Sequence, residues 1–245
     1  MRQAVIIFGM ISLDSLVAEY TGLQLSPAQM QAMNTFQREL LDWNTRINLT
    51  AIKEPQQVQI KHLLDSLTCL QVMLGTSMDK VIDVGTGAGL PGLALKIAQP
   101  QIALTLVESI EKKARFCSHM VQVLGLDRVS VISDRVEILG QSPAHRERYD
   151  WAIARAVAVM PVLAEYLLPL VRLGGRMLAM KGENALEELR SAEKAIQMLG
   201  GRLDRWVPVK LPGINETRYL IVIQKIRPTP AAYPRRTGLP AKKPL

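Results

Sequence analysis

One stretch constrains this chain more than any other: Asp83-Val-Gly-Thr-Gly-Ala-Gly-Leu-Pro-Gly92. It follows a short apolar run, residues 80–84, and precedes a helical pattern over residues 91–98. Gly85, Gly87 and Gly89 permit φ > 0 and let a ligand approach the backbone. Pro91 suits a first helical turn. Gly87, Gly89 and Gly92 also keep a formal GxGxxG spacing, which fits a nucleotide-binding turn of an open α/β sheet. Without a ligand, the same glycines would make only a tight turn.

The pattern around this loop repeats strand and helix. Strands are predicted over residues 102–107, 129–132, 149–154 and 176–180, with helices over 112–124, 162–173 and 185–199. Two further strands, 205–211 and 218–225, flank a turn at Pro212-Gly213. Such alternation implies a doubly wound α/β sheet with helices on both faces, closed by an antiparallel hairpin at its edge. Upstream, Ser26-Pro27 is a helix start, and helical spacing continues to about residue 74. The chain therefore divides into an N-terminal extension (1–25), a helical cap (26–75), the sheet domain (76–226) and a basic, proline-rich tail (227–245). The prolines exclude helix and central strand from that tail.

Charge is concentrated at the end. Of the net +8, six charges lie in Lys225–Leu245, which contains no acid. Such a tail either meets a polyanion or is a solvated end. Aromatic residues are 4% of the chain, too few for a surface of base-stacking platforms. Cys69 and Cys117 form no CxxC pair and read as small buried hydrophobes, with neither a disulfide framework nor a metal site expected. The apolar run of residues 4–13 is too short to span a bilayer and lacks a small-residue cleavage site. A cytoplasmic protein is expected.

Asp83 bears on the ligand. A carboxylate two residues before Gly85 would repel a pyrophosphate, whereas S-adenosylmethionine (SAM) carries an ammonium and a sulfonium and no phosphate. Glu108, ending the second strand, can accept both hydroxyls of a ribose; alone it reads as a solvated carboxylate. Ser133–Glu137 is expected to be a polar loop beside the adenine.

With those residues placed, the chain resembles the bacterial 16S rRNA guanine-N7 methyltransferases of the glucose-inhibited division protein B family. The matching pieces run from about Phe36 to the end. They include Trp43-Asn44, Asn48-Leu49-Thr50, His62 with Asp65-Ser66-Leu67, Asp83–Gly92, Glu108, Arg135-Val136-Glu137, Ala154-Arg155-Ala156, Met180-Lys181-Gly182, Arg218-Tyr219-Leu220 and Tyr233-Pro-Arg-Arg-Thr-Gly. The resemblance implies a seven-stranded, Rossmann-like methyltransferase fold, SAM as donor, and N7 of a guanine (guanine 527 of the 530 loop) of 16S rRNA in the small ribosomal subunit as acceptor. It implies cofactor contacts at Gly85, Leu90, Val136, Glu137 and Arg155, beside Asp83, Gly87, Gly89 and Glu108, and a monomer is expected. RNA contacts are expected at Asn48, Lys181, Arg218, Arg235 and Arg236. The family commonly shows Arg-Ala-Glu where this chain has Arg135-Val136-Glu137, a small change if the backbone does the binding. The first twenty or so residues match nothing in the family.

The chemistry is consistent with this resemblance. Guanine N7 has a free lone pair and no proton, so the transfer needs alignment rather than a general base. No nucleophile–base pair is evident in the sequence. The fourth strand runs into Arg155, not into the Asp/Asn-Pro-Pro-aromatic motif of amino-directed enzymes. Arg155 is expected to position cofactor or guanine. His62 and Asp65, three apart on one helical face, frame the acceptor or form a structural pair. Asn48 is a helix-end cap or a substrate contact. Two other classes fit parts of the pattern: a dinucleotide-binding oxidoreductase, and a non-catalytic ribosome-binding protein.

Overall fold

The computed structural model describes residues 12–245. The helices α1 (Leu13–Thr21), α2 (Pro27–Asn44), α3 (Pro55–Val58), a π-helical stretch (Gln59–Leu64), α4 (Asp65–Leu67) and α5 (Leu70–Met73) precede the sheet. There follow β1 (Lys80–Val84), α6 (Gly92–Ala98), β2 (Ala103–Val107), α7 (Glu111–Val123), β3 (Val129–Ile132), α8 (Val136–Gln141), β4 (Tyr149–Arg155) and α9 (Met160–Leu167). The chain closes with β5 (Val171–Lys181), α10 (Ala185–Ser191), α11 (Glu193–Met198), β6 (Gly201–Val209), β7 (Arg218–Lys225) and α12 (Leu239–Lys242).

The seven strands lie in the order β3-β2-β1-β4-β5-β7-β6. The first five are parallel; β7 is antiparallel to both β5 and β6, so it enters the sheet between them. The expected α/β fold is therefore present. Its strand order reverses between β1 and β4, and ligands of open α/β sheets bind outside the strand ends at such a reversal.

Alternation along β1 sorts the core. Val81 joins one apolar cluster, with α1 through α6 and Phe116 of α7, while Ile82 and Val84 join the opposite cluster, with α8 to α11. The helical cap is held by its own caps. Ser26 and Gln29 form a reciprocal capping box, and the Gln29 amide also donates to the Ile97 and Ala98 carbonyls at 3.0 Å, docking α2 onto the end of α6.

Several boundaries differ from the sequence reading. The helix expected over 162–173 stops at Leu167, because Pro169 has no N–H and disfavours helical backbone before it. Residues 171–173 open β5 instead. The helix expected over 185–199 breaks at Ala192, where the Ser191 hydroxyl donates to the Glu188 carbonyl. β6 starts at Gly201; its charged residues face solvent on an edge strand and disguise it. The polar loop after β3 becomes α8 from Val136. From Ser12 on, the expected extension is a helix with Leu13, Leu16 and Val17 buried in the core. Residues 4–11 of the apolar run lie outside the described residues.

The tail is anchored, with Thr229, Pro234 and Pro240 buried and most of its other residues exposed. Lys225 is fully buried and donates to the Leu168 carbonyl at 2.6 Å, beside Glu147 at 3.1 Å. Arg235 pairs with the buried Glu165, and α12 is one short helix with Pro240 in its first turn, where a missing N–H does no harm.

Candidate functional site

The glycine loop crosses the end of β1 at the strand-order reversal. Gly85, Gly87 and Gly89 have φ of 66°, 59° and 79°, a region closed to most side chains. A Cβ on Gly85 would lie 2.7 Å from Val157 Cγ2, and one on Gly92 would lie 2.8 Å from Asp83 Oδ2. A Cβ on Gly87 would meet no described atom within 4 Å, so that position has open space beside it. The crevice is lined by Val84, Gly85, Ser109, Val136, Val157 and Tyr166 among others.

Asp83 is buried and braces this loop rather than standing in the crevice. Its Oδ2 accepts from the Thr86 hydroxyl at 2.6 Å and from the Gly92 N–H at 2.8 Å. Oδ1 is buried with no hydrogen-bond partner among the described residues. Burial pushes the Asp83 carboxyl up to about 6, against the pull of the Thr86 and Gly92 hydrogen bonds. Glu108 stands beside the loop: its two oxygens accept from the Gly87 N–H at 2.9 Å and the Ile110 N–H at 2.8 Å. Leu90 is buried behind the glycines. Cys69 and Cys117 are free and buried, as expected, and burial pushes both thiols up.

These residues fit a cationic nucleoside better than a pyrophosphate. The Gly92 N–H at the start of α6 is spent on Asp83, and the Gly89 and Leu90 N–H groups are spent on the Thr86 carbonyl, so donors a pyrophosphate would use are taken. A carboxylate behind the loop and an acid on the next strand make the surroundings favour an ammonium or sulfonium and a ribose over a phosphate.

A second cavity, of about 410 Å³, adjoins the end of β4 and is lined by Lys61, His62, Asp65, Arg155, Lys181 and Arg218 among others. Arg155 donates to Asp65 Oδ2 at 3.0 Å, to the Lys61 carbonyl at 3.3 Å and to the Ser66 hydroxyl at 3.4 Å. The pair ties the helical cap to the sheet. His62 does not bond Asp65. Its Nε2 lies 2.7 Å from the Thr50 hydroxyl and its Nδ1 3.1 Å from the Lys61 carbonyl. Burial, then the Arg155 charge, lower His62 to about 4, so it is neutral at pH 7.

Other expected site residues are placed differently. Glu137 is buried and its carboxylate accepts from the Gly238 N–H at 2.8 Å, tying it to the tail. Arg235 is no free RNA contact, because Glu165 and the Lys243 carbonyl occupy its guanidinium. Lys181 lies in the cavity wall but is held by Glu188 at 2.6 Å and the Ala158 carbonyl at 2.8 Å. Arg218 keeps Nε buried without a partner among the described residues. Asn48 and Arg236 are exposed. Asn48 is not the helix-end cap; Asn44 closes that turn through Leu49 N, Thr50 N and the Thr50 carbonyl. The sequence does not single out Lys61 and Tyr166, which line the two hollows, or Thr50, which bonds His62 from within Asn48-Leu49-Thr50. Among the described residues no group of His, Cys, Asp or Glu could hold a metal ion, and no helix is long and apolar enough to cross a membrane.

Residues 29–215 match the family described as rRNA small subunit methyltransferase G (GidB). The chain belongs to that family. Relatives named ribosomal RNA small subunit methyltransferase G agree over nearly their whole length. The one from Roseiflexus castenholzii is 47% identical, covering 94% of this chain and 97% of the relative. The one from Desulforamulus reducens is 45% identical, covering 90% and 92%. Among solved structures, a SAM-dependent O-methyltransferase from Thermotoga maritima superposes with a TM-score of 0.51 at 16% identity, over 78% of this chain and 72% of that one. That likeness bears on the fold alone. Membership of the methyltransferase G family removes the oxidoreductase alternative.

Proposed function

We propose that this chain is a SAM-dependent methyltransferase that methylates N7 of a guanine in 16S rRNA. One observation carries the reading: the turn Arg155-Ala156-Val157 at the end of β4 borders both the glycine crevice and the second cavity, Val157 lining the first and Arg155 the second. Ala156 holds φ of 56°, rare for a residue with a side chain, at the boundary between them. A donor in one hollow and a base in the other would meet there.

When bound, SAM supplies an electrophilic methyl on a sulfonium. The glycine turn and Glu108 would hold its nucleoside, with Asp83 behind the loop. Asp65 fixes Arg155, and Arg155 with Arg218 would orient the guanine edge. Neutral His62, bonded to Thr50, packs the cavity wall and takes up no proton near pH 7. The residues' task is then alignment, and a loss of alignment by an ångström is enough to slow the transfer strongly.

The acceptor is 16S rRNA in the small subunit, reached by the enzyme as a monomer in the cytoplasm, with exposed Arg236 and Asn48 available to phosphates. Mass-spectrometric nucleoside mapping of 16S rRNA, with and without the protein, tests the function. A 7-methylguanosine that disappears with the protein and returns with it is expected; an unchanged modification map overturns the reading.

A further inference from the structure

Three cations in and just before the basic tail are tied to the protein's own acceptors, Lys225 and Arg235 turned inward and Arg227 held at the surface. Lys225 is bonded to Leu168, Thr229 and Glu147, Arg227 donates to the Gln197 carbonyl, and Arg235 grips Glu165. What the tail touches is specific. Gly238 N–H donates to Glu137 of α8, and Arg235 donates through both backbone and side chain to Glu165 of α9. The Pro234 ring seats on Gly140 of α8: a Cβ there would stand 2.6 Å from the ring. Gln141 donates to the Pro234 carbonyl, and Arg146 to the Tyr233 carbonyl, at 2.8 and 2.7 Å. These two helices form one wall of the glycine crevice, α8 through Val136 and Glu137, α9 through Tyr166, the neighbour of Glu165.

We propose that the C-terminal tail is a strap that sets the position of α8 and α9, and so the shape of the nucleoside crevice, with Arg235, Pro234 and Gly238 as positioning residues. The inference rests on the reading of that crevice as the cofactor site. α8 is only six residues long and α9 eight, too short to hold a fixed position by their own hydrogen bonds. Glu165 is fully buried, so its pair with Arg235 is a single, well-defined anchor rather than a surface contact.

Two variants of the full-length protein loosen the strap by independent means. Gly140→Ala evicts Pro234 by sterics without changing any charge. The double variant Glu165→Gln/Arg235→Met removes the anchor without leaving a buried charge unpaired. Binding of S-adenosylhomocysteine by calorimetry, KM for SAM and amide exchange by segment are measured for each. Expected are faster exchange in Val136–Gln141 and in the tail, exchange of β1 as in the parent, S-adenosylhomocysteine affinity down about tenfold, KM for SAM raised and kcat nearly kept. A loosened tail with unchanged affinity overturns the inference, as does a tail that stays protected in both variants, or faster exchange that extends equally to β1. A parent that takes up no S-adenosylhomocysteine overturns the cofactor reading itself, and is told apart by that measurement alone.

Discussion

Removing one partner of a buried ion pair leaves the other charge stranded, and Arg155 with Asp65 is such a pair, both side chains largely out of solvent. Arg155→Ala is expected to cost about 3 kcal/mol of stability and to lower methylation by more than tenfold. Arg155→Met with Asp65→Leu restores most of the stability but not the methylation; recovery of the parent rate in either variant would assign Arg155 a purely structural part. His62 gives a pH signature. Its folded form stays neutral down to about 4, while the unfolded chain takes up the proton near the ordinary value of 6.5. Stability is therefore lost as pH falls from 6.5 toward 4, by about 1–2 kcal/mol between pH 7 and 5 from this residue. His62→Gln keeps a neutral hydrogen-bonding side chain, and denaturant melts at the two pH values should show that part of the loss gone. Single residues were only partly legible in the sequence. Arg155 stood out by its place at a strand end, but nothing local announced that it would face Asp65, ninety residues earlier in the chain.

At the scale of elements, the glycine loop and the strands around it were legible because each signal was local. β1, β3 and β7 fell on their predicted residues, and the Ser26 cap opened α2 as expected. α8 was not legible: six residues after a polar turn carry too little periodicity to distinguish a helix from a loop. β6 was shifted because its solvent-facing charges read as turn. The loop invites an element-scale prediction. Gly87→Ala places a methyl where no described atom stands, so the packing of the protein is untouched and the stability cost is about 1 kcal/mol from the left-handed backbone. With the turn cradling the nucleoside as proposed, the methyl takes space the ligand needs, and S-adenosylhomocysteine affinity is expected to fall at least tenfold by calorimetry. Unchanged affinity would move the ligand away from the loop.

The whole molecule divides its surplus positive charge between two uses. Lys225 and Arg235 are turned inward onto Leu168 and Glu165, and Arg227 holds the Gln197 carbonyl at the surface, whereas Arg236, Lys242 and Lys243 are exposed. Replacing those three by Gln should lower the slope of log affinity against log salt for 16S rRNA by about 2, with S-adenosylhomocysteine binding as in the parent. A slope unchanged by the substitutions would take the tail out of RNA contact altogether. Composition could show that six charges gathered at one end, but not that three of them hold acceptors 30 or more residues away in the chain.

The insertion of β7 between β5 and β6 dictates an order of events during synthesis. β6 leaves the translating ribosome first yet has no neighbour to pair with until β7 follows, and α1 waits longer still, its Tyr20 hydroxyl bonding a carbonyl 190 residues downstream. The tail proposed to shape the crevice emerges last of all. A chain cut short just beyond Lys225 would complete every strand yet lack the proposed brace, so it should keep its sheet by circular dichroism while binding S-adenosylhomocysteine more weakly than the parent by calorimetry.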